Sequence, residues 1–355
     1  MNICSKESVV RQYDHEVQGG SVVKPLVGSM NDGPSDAAVI RPLLDTYEGI
    51  VVANGICPRY SDIDAYHMAA CAIDEAVRNA IATGASLDHL AGLDNFCWCD
   101  PVQSEKTPDG EYKLAQLVRA NKAVYDYTIA YGVPCISGKD SMKNDYAIDN
   151  TKISIPPTLL FSVIGKIADV RQAVTMDAKR AGDIVYVLGE TRNEMGASEW
   201  FALHGYVGNT CPSVDAEKAK GLYKALAKAI QKGLVASCHD CSDGGLGVAL
   251  AETAFAGGLG MEIDLARVPK EGIGRDDYLL FSESQSRFVA TVSPNHKKEF
   301  EEIIRGEVSA LSPVAFDAVG EITASPFLSL RGTTGEILMR ESIADLKAAW
   351  QKTLS

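Results

Sequence analysis

The chain has 355 residues, which is more than one ordinary hydrophobic core accommodates and indicates two domains. Its composition, with 46% apolar and 23% charged residues, is typical of a soluble globular protein. A net charge of -13 without any dense Lys/Arg cluster argues against binding to nucleic acid or to an anionic membrane, and the lack of a long apolar run or a signal-peptide core predicts a cytoplasmic location.

The N-terminal region predicts an extended arm followed by two strands. In the arm, two Val-Val pairs flank a charged, turn-like stretch, and Lys6 is the candidate functional residue. β-Branched runs at residues 37–40 and 49–53 predict the strands, and Asp36 stands between a turn and the first run. These strands lead into a long predicted helix.

That helix is predicted at residues 61–85, and it presents two different faces. Apolar residues recur on one face at three- and four-residue spacing, which predicts contact with the core: Ile63, Tyr66, Ala70, Ile73, Val77 and Ala80. Asp62 or Asp64 suits the N-cap, and Gly84 suits the left-handed residue that ends the helix. Glu75 and Asn79 lie one turn apart on the other face, where they could hold a hard cation or simply face solvent.

The remaining pattern alternates strands and helices, with a domain boundary near residue 175. The N-terminal domain, residues 1–174, also contains a short apolar segment at 87–93, a helix at 112–131 closed by Gly132, a strand at 134–137, a polar loop at 138–144 that could cradle phosphate, and a strand at 158–167. The C-terminal domain, residues 175–355, contains strands at 183–189, 234–238, 261–265, 287–292, 315–322 and 327–330, with helices at 194–204, 215–232, 295–305 and 343–351. This order predicts an α/β fold with α+β layers.

A second polar stretch follows the strand at 234–238. The acceptors Asp240, Ser242 and Asp243 precede a pair of glycines and a helix, so carboxylates lie beside backbone N–H groups at a positive helix end. A cation with a polyphosphate suits this arrangement, and an ordinary N-cap with a glycine turn is the alternative.

The nine cysteines are scattered and odd in number, which indicates reduced thiols rather than a disulfide framework. Cys97 with Cys99, and Cys238 with Cys241, could in principle bind zinc together. We expect no zinc, because neither pair has the flanking turn residues of a zinc knuckle and cysteine is commonly a small buried apolar residue.

Five ordered motifs together resemble one family. They are GPSDAAV at 33–39, NGICPRYSDIDAYHMAACAIDEAVRN at 54–79, SGKDSM at 137–142, HDCSDGGLGVALAE at 239–252 and FSESQSRFV at 281–289. Over nearly the whole chain they resemble phosphoribosylformylglycinamidine synthase, the amidotransferase of de novo purine synthesis. More narrowly, they resemble the second of the two homologous halves of its synthetase part, within the aminoimidazole ribonucleotide synthase-like superfamily.

The resemblance implies a two-domain, aminoimidazole ribonucleotide synthase-like fold. Strands of the N-terminal domain would pair with a second copy or half into a barrel, and nucleotide would lie between that domain and a C-terminal α/β domain. The residues that it implies for ATP or ADP and Mg²⁺ are Lys6, Asp36, Glu75, Asn79, Asp240 and Ser242. Among these, Asp36, Glu75, Asn79 and Asp240 would be the metal ligands, since Mg²⁺ prefers oxygen.

The implied reaction is ATP-dependent amination of formylglycinamide ribonucleotide with ammonia from glutamine. The chain has no glutaminase nucleophile in a Gly-x-Cys-x-Gly setting, so the implied partners are the first synthetase half and a glutaminase. In the family's second half the nucleotide is structural, and no catalytic residue is assigned here. The alternatives are a stand-alone homodimeric enzyme such as aminoimidazole ribonucleotide synthase, paired through the barrel strands, and a non-catalytic nucleotide-binding half.

Overall fold

The computed structural model describes residues 2–149, 151–306 and 314–354. The helices are α1 Glu7–Val10, α2 Ala65–Ala82, α3 Gly110–Tyr131, α4 Glu199–Leu203, α5 Ala216–Gln231, α6 Gly245–Gly257, α7 Asp276–Phe281, α8 Lys297–Gly306 and α9 Ile343–Gln351. Within these described ranges, none of the helices combines the length and the apolar character that crossing a bilayer requires.

The strands alternate with these helices along the chain. They are β1 Ser21–Val23, β2 Ala38–Ile40, β3 Gly49–Ile56, β4 Leu90–Cys97, β5 Cys135–Ser141, β6 Asp145–Ile148, β7 Thr151–Ser154, β8 Thr158–Ile167, β9 Ile184–Leu188, β10 Thr191–Arg192, β11 Val235–Asp240, β12 Gly260–Asp264, β13 Lys270–Glu271, β14 Phe288–Val292, β15 Phe316–Thr323, β16 Phe327–Arg331 and β17 Ile337–Ser342. The α/β layers that the sequence predicts are confirmed.

Most strands belong to two sheets, which we call the N-terminal and the C-terminal sheet. The N-terminal sheet has the order β1-β2-β3-β8-β4-β5, antiparallel except for the β4–β5 pair. The C-terminal sheet has the order β11-β14-β9-β15-β12-β16-β17, antiparallel except for β12–β16. Helix α2 packs on β3 and β8 of the first sheet and also contacts β11 and α5, so it lies between the sheets.

Helix α2 is shorter than the predicted 61–85 span, because a separate 3₁₀ turn covers Pro58–Asp62, and it is buried on almost every side. The Asp64 carboxylate caps its start by accepting from the backbone N–H groups of Tyr66 and His67, and Gly84 follows its end with φ +110°. The face that carries Glu75 packs on β3 rather than facing solvent. Glycine allows this approach, because a Cβ at Gly55 would lie 2.2 Å from the carbonyl oxygen of Ala72. The polar face of the helix is therefore held at the end of a strand.

Several sequence predictions about local structure are wrong, and the predicted extended arm contains helix α1 and a 3₁₀ turn at Val17–Gly19. Residues 138–141 of the predicted phosphate loop lie in β5, an exposed edge strand that pairs in parallel with β4. The helix predicted at 194–204 is confined to α4, since the preceding turn places Ala197 at φ +58°. By contrast, the helix closed by Gly132 and the strand Thr158–Ile167 are confirmed as α3 and β8.

Among the described residues, one face of the N-terminal sheet is uncovered and carries several exposed apolar side chains. Along β3 every second residue is buried against α2, while its neighbours point the other way. The large apolar side chains that are exposed on this open face are Val22, Ile40, Val52, Ile56 and Ile164. An apolar sheet face of this kind is typical of a surface that packs against another element.

Candidate functional site

Three of the predicted site residues meet where β11 approaches β2. The Oδ1 atom of Asp36, just before β2, accepts from the backbone N–H of Asp240 at 3.1 Å, at the end of β11. The Asp240 Oδ2 atom accepts from the Ser242 hydroxyl at 2.5 Å. Asp36, Asp240 and Ser242 therefore form one hydrogen-bonded group, built from segments about two hundred residues apart in sequence.

A glycine turn places α6 beside this group. Gly244 and Gly245 have φ values of +79° and +63°, which L side chains rarely adopt, and α6 begins at Gly245. A Cβ at Gly245 would also lie 2.4 Å from the carbonyl oxygen of Ser282. The positive end of α6 is thus held next to Asp240 and Ser242, as an anionic phosphate would require.

Glu75 and Asn79 lie on α2 beside the end of β3, and Glu75 is not part of the group of ligand atoms within 4.8 Å of one another that Asp36, His239 and Asp240 form. The Glu75 carboxylate accepts from the backbone N–H of Ile56 at 2.8 Å and from the Cys57 thiol at 3.4 Å. Burial raises the pKa of Glu75 to about 7, an effect that Arg78 opposes and Asp240 reinforces. Asn79 donates to the carbonyl oxygen of Asn54 at 3.3 Å. The two side chains that the sequence placed on one helix face therefore line the end of β3.

Lys6 belongs to an N-terminal segment that passes over the site. Its ammonium donates to the carbonyl oxygens of Asn2 and Cys4, both at 2.9 Å. Asn2 lines the same cavity of about 120 Å³ as Asp240 and Ser242. A role for Lys6 in binding phosphate remains a prediction.

Arg78 is a central residue that the sequence analysis missed. Its side chain is fully buried and donates to Asp74 at 2.5 Å, Asp240 at 3.1 Å, Ser242 at 2.8 Å and Gln285 at 3.0 Å. The sequence signal was the i,i+4 spacing of Asp74 and Arg78, which lets an acidic and a basic side chain meet one turn apart on the helix. This guanidinium connects α2 with the Asp240 turn and with the FSESQSRFV stretch.

His239 is a second residue without an assigned role in the sequence analysis. Its Nδ1 atom lies 2.7 Å from Asp36 Oδ1, and its Nε2 atom lies 3.0 Å from Glu252 Oε2 on α6. Burial works against a charged imidazole, but the two carboxylates outweigh it and raise the pKa of His239 well above its ordinary value. The ring therefore lies between two acidic side chains that favour its charged form.

The predicted ligands fit a hard cation. Two buried oxygen atoms, Oδ2 of Asp36 and Oδ1 of Asn79, have no hydrogen-bond partner among the described residues. The carboxylates of Asp36 and Asp240 lie close together, since ligand atoms of these two residues and of His239 are all within 4.8 Å of one another; the His239 nitrogens face carboxylates and are not counted as ligands. Unpaired oxygen atoms beside buried carboxylates are the donors that Mg²⁺ prefers, so the donor set agrees with the metal that the family resemblance implies.

A further buried carboxylate, Glu283, lies beside the glycine turn. It is 1% exposed and accepts from the Tyr60 hydroxyl at 2.7 Å, the Glu199 N–H at 2.8 Å and the Gly244 N–H at 2.9 Å. Burial raises the pKa of Glu283 to about 8, and the charge of Asp243 adds to the effect.

Glu283 is therefore expected to make stability depend on pH. Because its folded-state pKa lies above its unfolded value, its contribution is complete at low pH and is lost as pH rises towards 8. Between pH 6 and 7 the free energy of unfolding of the parent should fall by about 1 kcal/mol more than that of Glu283→Gln. The largest change that one titrating group can cause is about 1.4 kcal/mol per pH unit. Urea unfolding at both pH values measures this difference. The exposed Glu299→Gln serves as the control, and equal losses for parent and Glu283→Gln would contradict the assignment.

Comparison with known proteins finds one matching family. The family described as AIR synthase related protein matches twice, its N-terminal domain at residues 34–167 and its C-terminal domain at residues 180–332. Phosphoribosylformylglycinamidine synthase subunit PurL of Methanocaldococcus jannaschii is 37% identical over 300 residues, and that of Alkaliphilus metalliredigens is 34% identical over 354 residues. These alignments cover 83% and 99% of this chain.

The chain corresponds to only part of these relatives. The chain spans 38% and 43% of the length of the two PurL relatives. A solved structure of Thermotoga maritima PurL complexed with ADP superimposes with a TM-score of 0.69 at 22% identity, covering 97% of this chain and 51% of that one. That likeness confirms the two-domain α/β fold.

Proposed function

Because the chain belongs to the AIR synthase related proteins, we propose that it is the second half of the synthetase part of phosphoribosylformylglycinamidine synthase and binds Mg-ADP or Mg-ATP. Support comes from two curated relatives that carry this enzyme's name, each more than twice as long as the chain. The observation that carries the proposal is the pair of unpartnered buried oxygens, on Asp36 and Asn79, beside the carboxylates of Asp240 and Glu75.

Each site residue then has a defined role. We assign the metal ligands as Asp36, Glu75, Asn79 and Asp240, because all four offer oxygen, ligand atoms of Asp36 and Asp240 lie within 4.8 Å of one another, and the charge of Asp240 acts on Glu75. Bound Mg²⁺ neutralises phosphate charge. Ser242 and the N–H groups at the start of α6 are positioned to donate hydrogen bonds to phosphate oxygens. Lys6 is assigned to neutralise the phosphate charge that Mg²⁺ leaves uncompensated. Arg78 holds Asp240 and Ser242 in place.

The nucleotide assignment is supported by the fold of a relative. The Thermotoga maritima PurL structure was solved in complex with ADP and shares this chain's fold at a TM-score of 0.69. In the proposed assembly, ATP-dependent conversion of formylglycinamide ribonucleotide takes place with the first synthetase half, and a glutaminase supplies ammonia. The nucleotide held by this chain is structural.

The partner half is proposed to cover the open face of the N-terminal sheet. The exposed side chains of Val52, Ile56 and Ile164 on adjacent strands form an apolar surface that a second sheet of the same kind could pack against. We place the domain boundary between residues 174 and 175, because the N-terminal sheet ends with Ile167 and the C-terminal sheet begins with Ile184.

Binding and turnover measured on the same purified chain test the proposal. Calorimetry is expected to show Mg-dependent ADP binding. A steady-state assay with ATP, formylglycinamide ribonucleotide and ammonium chloride is expected to show no sustained product until the first half is added, because the chain supplies one half of the cleft. Absence of Mg-ADP binding would refute the nucleotide site. Sustained turnover by the chain alone would favour a stand-alone homodimer paired through the same open face.

A further inference from the structure

The two carboxylate oxygens of Asp36 have different surroundings. The Oδ1 atom faces two donors, the His239 Nδ1 atom at 2.7 Å and the Asp240 backbone N–H at 3.1 Å. The Oδ2 atom is buried and has no hydrogen-bond partner among the described residues. Since Oδ1 is already occupied, the carboxylate can offer a cation one oxygen rather than two.

The structure also fixes the ring that occupies Oδ1. His239 stands on β11 with its side chain 8% exposed, and its other nitrogen lies 3.0 Å from the Glu252 carboxylate on α6. Turning the ring about its Cβ–Cγ bond would break both contacts. Because both nitrogens already face carboxylates, neither is free to bind a metal, so His239 acts on the cation through Asp36.

The number of oxygens that a carboxylate offers bears on which cation binds. Mg²⁺ is small, requires near-octahedral geometry and usually takes one oxygen from each carboxylate, whereas Ca²⁺ accepts six to eight oxygens and often binds both oxygens of a carboxylate. A carboxylate restricted to one oxygen therefore suits Mg²⁺ better than Ca²⁺. Side chains that orient a ligand from behind commonly change metal affinity about 10–100-fold when they are removed.

We propose that His239, held by Glu252, is a positioning residue that keeps Asp36 a one-oxygen ligand and so makes the site prefer Mg²⁺ to Ca²⁺. The inference rests on the proposed function, because it takes Asp36 as a metal ligand. It adds a residue that determines cation specificity without contacting the cation.

The test compares ADP binding with each cation by calorimetry, for the parent and for His239→Ala. For Mg-ADP the variant should bind about 10–100-fold more weakly, the range seen for such supporting residues. For Ca-ADP the loss should be smaller, because freeing Oδ1 permits binding through both oxygens. The Mg/Ca affinity ratio should therefore fall by about tenfold.

Two further variants separate positioning from general damage. His239→Asn keeps an N–H donor close to the place of Nδ1 and should restore most of the ratio. Ser237→Ala removes a buried hydroxyl on the same strand, which lies 2.6 Å from the Thr291 hydroxyl, and should lower stability without changing the ratio.

The outcomes are distinct. A His239→Ala variant that stays folded in urea titration but weakens Mg-ADP and Ca-ADP equally would overturn the inference, as would an unchanged Mg-ADP affinity. If His239→Ala fails to fold, the Mg/Ca ratio of His239→Gln decides, because a longer amide displaces the donor from Asp36 and should also lower the ratio. A parent chain that binds no Mg-ADP at all would refute the proposed function, and this inference with it.

Discussion

Replacing Arg78 with alanine is expected to lower the free energy of unfolding by about 3–5 kcal/mol, the cost typical of removing one partner of a buried ion pair. The guanidinium is fully buried and lies against both Asp74 and Asp240. Without it, each carboxylate loses a counter-charge while remaining buried. The Gln285 oxygen and the Ser242 hydroxyl lose hydrogen-bond partners as well.

Urea unfolding at pH 7, followed by circular dichroism, measures this loss. Arg267→Ala is the control, because Arg267 pairs with Asp317 on the surface, where an ion pair is worth about 0–1 kcal/mol. Arg78→Lys keeps the charge but not the planar fork, so it should fall between the parent and Arg78→Ala. Arg78→Ala and Arg267→Ala unfolding at the same urea concentration would show that the buried pair contributes no net stability.

Replacing Glu75 with alanine is expected to weaken Mg-ADP binding at least tenfold, or about 1.4 kcal/mol. The substitution removes a metal ligand and leaves phosphate and metal charges less well compensated. Asn79→Ala should have a smaller effect, because a neutral amide contributes less charge to the site. Partial burial raises the pKa of Glu75 to about 7, and a bound cation would favour the charged carboxylate.

Calorimetric titration with Mg-ADP checks this ranking. Glu111→Ala on α3 is a suitable control, because it removes an exposed carboxylate from the neighbouring helix. Affinity should decrease in the order parent, Asn79→Ala, Glu75→Ala, with Glu111→Ala equal to the parent. Binding by Glu75→Ala that matches the parent would exclude Glu75 as a ligand.

Local sequence patterns determined much of this protein's secondary structure and pointed to several candidate site residues. Three features of α2 depend only on residues close together in sequence and can therefore be predicted from it. They are the apolar spacing, the N-cap Asp64 and Gly84 after the end of the helix. The glycine turn after Asp240 is a local signal of the same kind. Motif resemblance then related Asp36 to this turn, although the two are 204 positions apart.

Tertiary structure alone decided what those residues contact. The 138–141 segment reads as a polar loop, but parallel pairing with β4 makes it an edge strand. Helix α2 reads as amphipathic, but β3 and the C-terminal part of the chain cover its polar face as well.

The contacts of Arg78 and His239 could not be predicted from the sequence either, because their partners are distant along the chain. Arg78 meets Asp240 and Gln285, which are 162 and 207 positions away, and His239 meets Asp36 at 203 positions. Periodicity and capping report interactions between near neighbours, whereas the burial of a charge and the choice of its partner depend on segments that only the folded chain brings together.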